Sequence, residues 1–188
     1  MKNVCRIALA MTLISVLSMA QSIEGRDVTK TIKAYYNPVM DYCHLIGASL
    51  SEKGILDMTF GLDYDGIVLA NSYGWSLSSI CYDIALRITF ENARKIVSQL
   101  ADISRMRVYI AEFEDQRDKY GNKIGSEKRI LCRLELSRET IQRLNWQYVN
   151  KELKQARIEY ALLVQMLDDS YFDPDHFDKI LVKAPDSQ

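Results

Sequence analysis

The stretch from Ser78 to Ser104 constrains the chain most, because its hydrophobic period changes partway along. Ile80, Tyr82, Ile84, Leu86 and Ile88 alternate with Cys81, Asp83, Ala85, Arg87 and Thr89. A period of two predicts a strand with one buried face. Beyond Thr89 the spacing becomes three and four: Ala93, Ile96, Val97, Leu100 and Ile103 fall on one side of a helix. Thr89 suits the N-cap and Glu91 the first turn of that helix. This predicts a strand running straight into a helix, with another strand to follow.

Upstream, Asp27 is placed to cap a short helix through Tyr36. Asn37-Pro38 opens a second helix to Ile46, gathering Val39, Met40, Cys43 and Ile46, with Gly47 as its left-handed end. Ser49 to Gly54 reads as a loop. Met58, Phe60, Leu62 and Tyr64 then alternate with polar or small residues as a strand. Asp65-Gly66 is a hairpin turn dipeptide, and Ile67–Ala70 the return.

Downstream, Met106, Val108 and Ile110 alternate with Arg107, Tyr109 and Ala111, and Ile130, Cys132, Leu134 and Leu136 form the returning strand. The polar stretch from Arg117 to Lys128 reads as a long hairpin loop. Ser137 caps a further helix, which Asn145-Trp146 kinks or splits. Val149, Leu153, Ala156, Tyr160, Leu163 and Leu167 follow at alternating four and three, a heptad-like seam on one long helix. Such a seam packs on the chain's own sheet or joins two copies as a homodimer.

These elements predict an α+β two-layer domain: a mainly antiparallel sheet of about five strands covered by helices, with a long C-terminal helix. A parallel crossover from the strand at 80–88 to the strand at 106–114 is the alternative connection. The domain spans 21–168, and 169–188 is an acidic, partly ordered tail.

Residues 1–20 have a secretory layout. Lys2 and Arg6 precede an apolar run from Ile7 to Leu17, and Ser18-Met19-Ala20 offers a cleavage site before Gln21. The run is shorter than the roughly 20 residues that span a bilayer. The expectation is an exported protein, periplasmic or extracellular, with no membrane span after cleavage. Removing 20 of 188 residues leaves 168, with 22 basic against 25 acidic side chains. That balance is interspersed, so no nucleic-acid partner is expected. Cys43, Cys81 and Cys132 remain. Three buried thiols is the reading; a Cys43–Cys81 disulfide is its alternative in an oxidising compartment.

Reaction chemistry has little support. The two histidines, His44 and His176, stand in no nucleophile or zinc motif. Asp63-Tyr64-Asp65-Gly66 opens like a calcium loop, but Gly74 stands where the closing glutamate belongs. No glycine-rich phosphate loop follows a strand. No cofactor or metal is therefore expected. Eleven tyrosines and two tryptophans supply contact area with a polar tip. Tyr73 and Trp75 share one loop, and with Asp63 and Asp65 they are the candidate binding residues. The sequence thus points to a small exported binding protein with a protein partner, such as an accessory factor of an envelope assembly. Its alternatives are an exported hydrolase using Asp63 and Asp65 as acid and base, and a homodimeric structural protein.

Overall fold

The computed structural model describes residues 25–36, 43–62, 77–154 and 160–174. Six strands form one sheet in sequence order: β1 (Gly25–Asp27), β2 (Cys43–Ser51), β3 (Ile55–Leu62), β4 (Arg105–Arg117), β5 (Lys123–Ser137) and β6 (Asp169–Phe172). Every neighbouring pair is antiparallel except β3 and β4, which run parallel at the centre. Parallel neighbours need a crossover. Between them in sequence lie α2 (Leu77–Glu91) and α3 (Ala93–Gln99). The remaining described helices are short: α1 (Thr29–Lys33), α4 (Arg138–Arg143), α5 (Trp146–Leu153) and α6 (Tyr160–Val164).

This corrects the expected architecture in three respects. The sheet is mixed, with one parallel pair at its centre, it has six described strands rather than about five, and the described helices after Ser137 are short, with no long C-terminal helix among the described residues. The helix after Ser137 ends at Arg143, Asn145 caps α5 by accepting from the Tyr148 amide, and α5 itself ends at Leu153. The heptad-like residues are therefore not one stripe. Val149, Leu153 and Leu163 sit in the chain's own core, and Leu167 packs against it. Ala156 lies outside the described residues.

The largest correction falls on the opening stretch, where 80–88 is helical. Cys81, Tyr82, Ile84, Ala85, Leu86, Ile88, Thr89 and Phe90 are all buried, so α2 is enclosed on almost every side. A helix apolar nearly all round carries apolar residues at alternate positions too, and so imitates a strand. The helical mark is its polar residues: Asp83, Arg87 and Glu91 recur every four. Arg87 Nε lies 2.7 Å from Asp83 and its Nη1 3.8 Å from Glu91. Thr89 caps nothing; its hydroxyl donates to Ala85 O at 2.7 Å within the helix. The period-3.6 reading of the next segment corresponds to α3, where Ala93, Ile96 and Val97 are buried.

The predicted helix into Ile46 is also replaced, by β2. Its edges pair with β1 and β3, and Ala48 and Leu50 enter the core, while Ile46 sits at an irregularity in the β2–β3 register. Pro38, Asp65-Gly66 and the proposed return at 67–70 lie outside the described residues. The stretch expected to be a long polar loop is mostly strand: β4 reaches Arg117 and β5 begins at Lys123. Ser137 caps α4 as its sequence implied, accepting from the Thr140 amide. The segment expected to begin the tail forms β6, paired with β5.

Register sets the two faces of the sheet. Ala48, Met58, Val108 and Leu134 stand in one cross-strand row, and Leu50, Leu56, Met106 and Leu136 in the next. All eight are buried. The described helices pack on this face: Tyr36, just after α1, meets Phe60 edge-on at 5.1 Å, and Tyr82 of α2 lies 4.5 Å from Phe172. Arg138 ties the layers together. Its guanidinium donates to the carbonyls of Val97, Leu100, Ala101 and Ile103, capping the C-terminal end of α3.

Candidate functional site

The opposite face of the sheet is left without a described helix, and its polar residues follow from strand alternation alone. Residues one position away from the core rows must point to that face. One row holds Asp27, Ser49, Asp57, Arg107, Glu135 and Asp169; the next holds Thr59, Tyr109, Arg133 and Tyr171. Arg105 precedes the first row on β4. Beyond the second come His44, Gly61, Ala111 and Ile130, then Phe113 and Lys128, and then Asp115.

Glu135 organises the charged half. Its carboxylate, 4% exposed, accepts from Arg105 Nη1 through one oxygen and from Arg107 Nε at 2.7 Å through the other. The Arg105 and Arg107 side chains are 44% and 30% exposed, so the buried anion lies beneath its more exposed cations. Arg133 donates through Nη2 to Asp169, while its buried Nε has no hydrogen-bond partner. Tyr109 donates to Asp57 at 3.2 Å, and Lys128 reaches Thr59 at 3.5 Å.

The environment shifts these groups in consistent directions. Burial pushes the Asp57 carboxyl above its ordinary range, against the pull of Arg107 and of the Tyr109 hydrogen bond. Burial and then Asp57 raise the Tyr109 phenol. The hydrogen bond to Glu135 makes Arg107 still harder to deprotonate. Hydrogen-bonded charges held in this way present fixed donors.

The other half of the face carries apolar side chains, with His44 and Lys128 among them. Ile46 and Phe113 are each 42% exposed, and Ile130 is half-buried. Gly61 makes room for Ile46, whose Cδ1 would lie 2.6 Å from a Cβ built there. Tyr171 adds an aromatic ring, 45% exposed, on the β6 edge.

Other parts of the molecule offer less chemistry. A shallow hollow of about 680 Å³ near β1 is lined by Gly25, Arg26, Leu50, Ser51, Glu52 and Asp102. Cys43, Cys81 and Cys132 are free thiols, so the alternative Cys43–Cys81 bond is not formed in this structure. Burial pushes Cys43 and Cys81 to about 12 and Cys132 well above its usual value, which suppresses thiolate reactivity. Among the described residues, no group of three or more His, Cys, Asp or Glu side chains is arranged to hold a metal ion. No described helix is long and apolar enough to cross a membrane.

Asp63, Asp65, Tyr73 and Trp75, the candidates drawn from the sequence, all lie outside the described residues. The open-face residues did carry a signal that was not used: Arg107, Tyr109, Arg133 and Glu135 occupy the positions between core residues on two strands. Comparison of the chain with protein-family models, with curated proteins and with solved structures gives no match.

Proposed function

We propose that the chain is an exported binding protein that docks a protein partner on the open face of its sheet. The observation carrying this reading is the one-sided cover of the sheet: the described helices pack on one face, and the other presents fixed arginines, a Tyr109–Asp57 pair and exposed apolar side chains. Exposed aromatic and arginine side chains are what interaction surfaces concentrate. The leader-like residues 1–20 support export.

Two measurements test the reading. The mass of protein recovered after expression with its own N-terminus should begin at Gln21; an intact leader overturns the export half. A photo-crosslinking amino acid placed at position 113 or 171 should give partner adducts in the native host. The same group at position 94, exposed on α3, should give none. Equal adducts from position 94, or none from either face position, defeat the docking half.

A further inference from the structure

We infer that the open face recognises an acidic amphipathic segment of its partner, one that carries carboxylates beside apolar side chains. This inference rests on the docking face proposed above and assigns its chemistry. Its first support is the vertical arrangement of charge. Four cations, Arg105, Arg107, Lys128 and Arg133, share the central strands of the face with Asp57 and Glu135, while Asp27, Asp115 and Asp169 stand toward its rims. The carboxylates are not equally accessible. Glu135 is 4% exposed, below arginines that are 30% and 44% exposed. Asp57 is half-buried under the Tyr109 hydroxyl. The exposed carboxylates lie at the rims: Asp169 on β6 at 50%, Asp115 near the β4–β5 turn at 38%, and Asp27 on β1. A partner arriving over the middle of the face therefore meets cationic donors first, although the chain as a whole is slightly acidic.

The donors are also pre-positioned. Each guanidinium has five N–H groups in a planar fork. Glu135 engages one N–H of Arg105 and one of Arg107, which fixes the groups and leaves the other donors for a second acceptor. Holding a side chain in its bound geometry lowers the entropy lost on binding. Carboxylates match this fork, whereas a cationic partner would be repelled.

The second support is the apolar half. Ile46 on β2 lies over Gly61, whose row runs through Ala111 to Ile130 on β5, and Phe113 follows on β4 beside Lys128. Lys128 stands directly opposite Phe113. A ligand of charge alone, such as a sulfated glycan, would leave these side chains in water. A polypeptide segment with acidic and apolar residues covers both halves.

The test is selection of a displayed library of random twelve-residue peptides on the immobilised chain. Enriched peptides should combine Asp or Glu with large apolar residues. Their binding should fall by about tenfold with Lys128→Glu, fall again with Phe113→Ser, and be unchanged with Arg94→Glu. Lys128 and Phe113 are exposed, so these variants keep the fold, which circular dichroism checks. Neutral or basic peptides with the same sensitivity to Lys128→Glu and Phe113→Ser would overturn the acidic assignment and leave the docking face standing. No enrichment, or binding indifferent to both variants, would overturn the assignment and the docking face together. A heparin-derived sulfated oligosaccharide that displaces the peptides and is itself indifferent to Phe113→Ser would reassign the face to a glycan.

Discussion

Gly54 and Gly121 both adopt positive φ, at 74° and 85°, yet alanine should cost very different amounts at the two positions. Gly54 closes the turn between β2 and β3. Its amide donates to Ser51 O at 3.0 Å, and its carbonyl accepts from the Ser104 and Arg105 amides at 2.8 and 3.2 Å, where β4 begins. A Cβ there would stand 2.3 Å from the Asp102 carbonyl oxygen, which is backbone and moves only with its loop. At Gly121, in the tip of the β4–β5 hairpin, a Cβ would meet nothing within 4 Å. The left-handed conformation costs an L-residue about 1–2 kcal/mol at either position. Reduced freedom of the unfolded chain returns about 0.4–1 kcal/mol. Gly121→Ala should therefore lose about 1 kcal/mol. Gly54→Ala adds an overpacking cost of about 1–3 kcal/mol, for a net loss of about 2–4 kcal/mol. With a urea m-value of about 2 kcal/mol/M, the Gly54 variant should unfold about 1 M earlier than the Gly121 variant. Equilibrium urea unfolding followed by tryptophan fluorescence measures both. Equal midpoints, or a lower one for Gly121→Ala, would refute the argument that the Asp102 backbone decides the cost.

Arg138→Met keeps most of the apolar stem but removes the donors that hold the C-terminal end of α3; it should cost about 2 kcal/mol, and thermal melting should show Arg138→Lys recovering only part of the loss. Burial raises Asp57 above its ordinary value of 3.8, so the folded state binds that proton more tightly than the unfolded state. Its contribution to stability is then most favourable below 3.8 and declines as pH rises through the folded pKa. Melting curves should show Asp57→Asn gaining relative to the parent chain over that rise; a gain on acidification would contradict the assignment. Cys81 and Cys132 are 1% and 0% exposed, so a thiol reagent at pH 8 should label neither until urea unfolds the chain, as peptide mass spectrometry would read. Rapid native labelling of either would place it outside the core.

What the sequence determined alone was local. The β4 and β5 core residues followed from a period of two, and the Ser137 cap and the break at Asn145 from side-chain chemistry, because each depends on neighbours within a few positions. The seam after Val149 does not fix one helix, because equal spacing carries no information about whether the backbone between its members stays helical. Tertiary structure decided the identity of residues 77–91. From Ile80 to Phe90, apolar residues fall on most sides of the helix and so also at alternate positions, which blurs the difference between periods of two and 3.6. It also decided the parallel join of β3 to β4, since a crossover is set by where strands meet. The candidate site belongs to both levels. Arginine, tyrosine and glutamate were visible at alternate positions on β4 and β5. That Glu135 lies beneath Arg105 and Arg107 depends on cross-strand register, which brings together residues up to 30 positions apart.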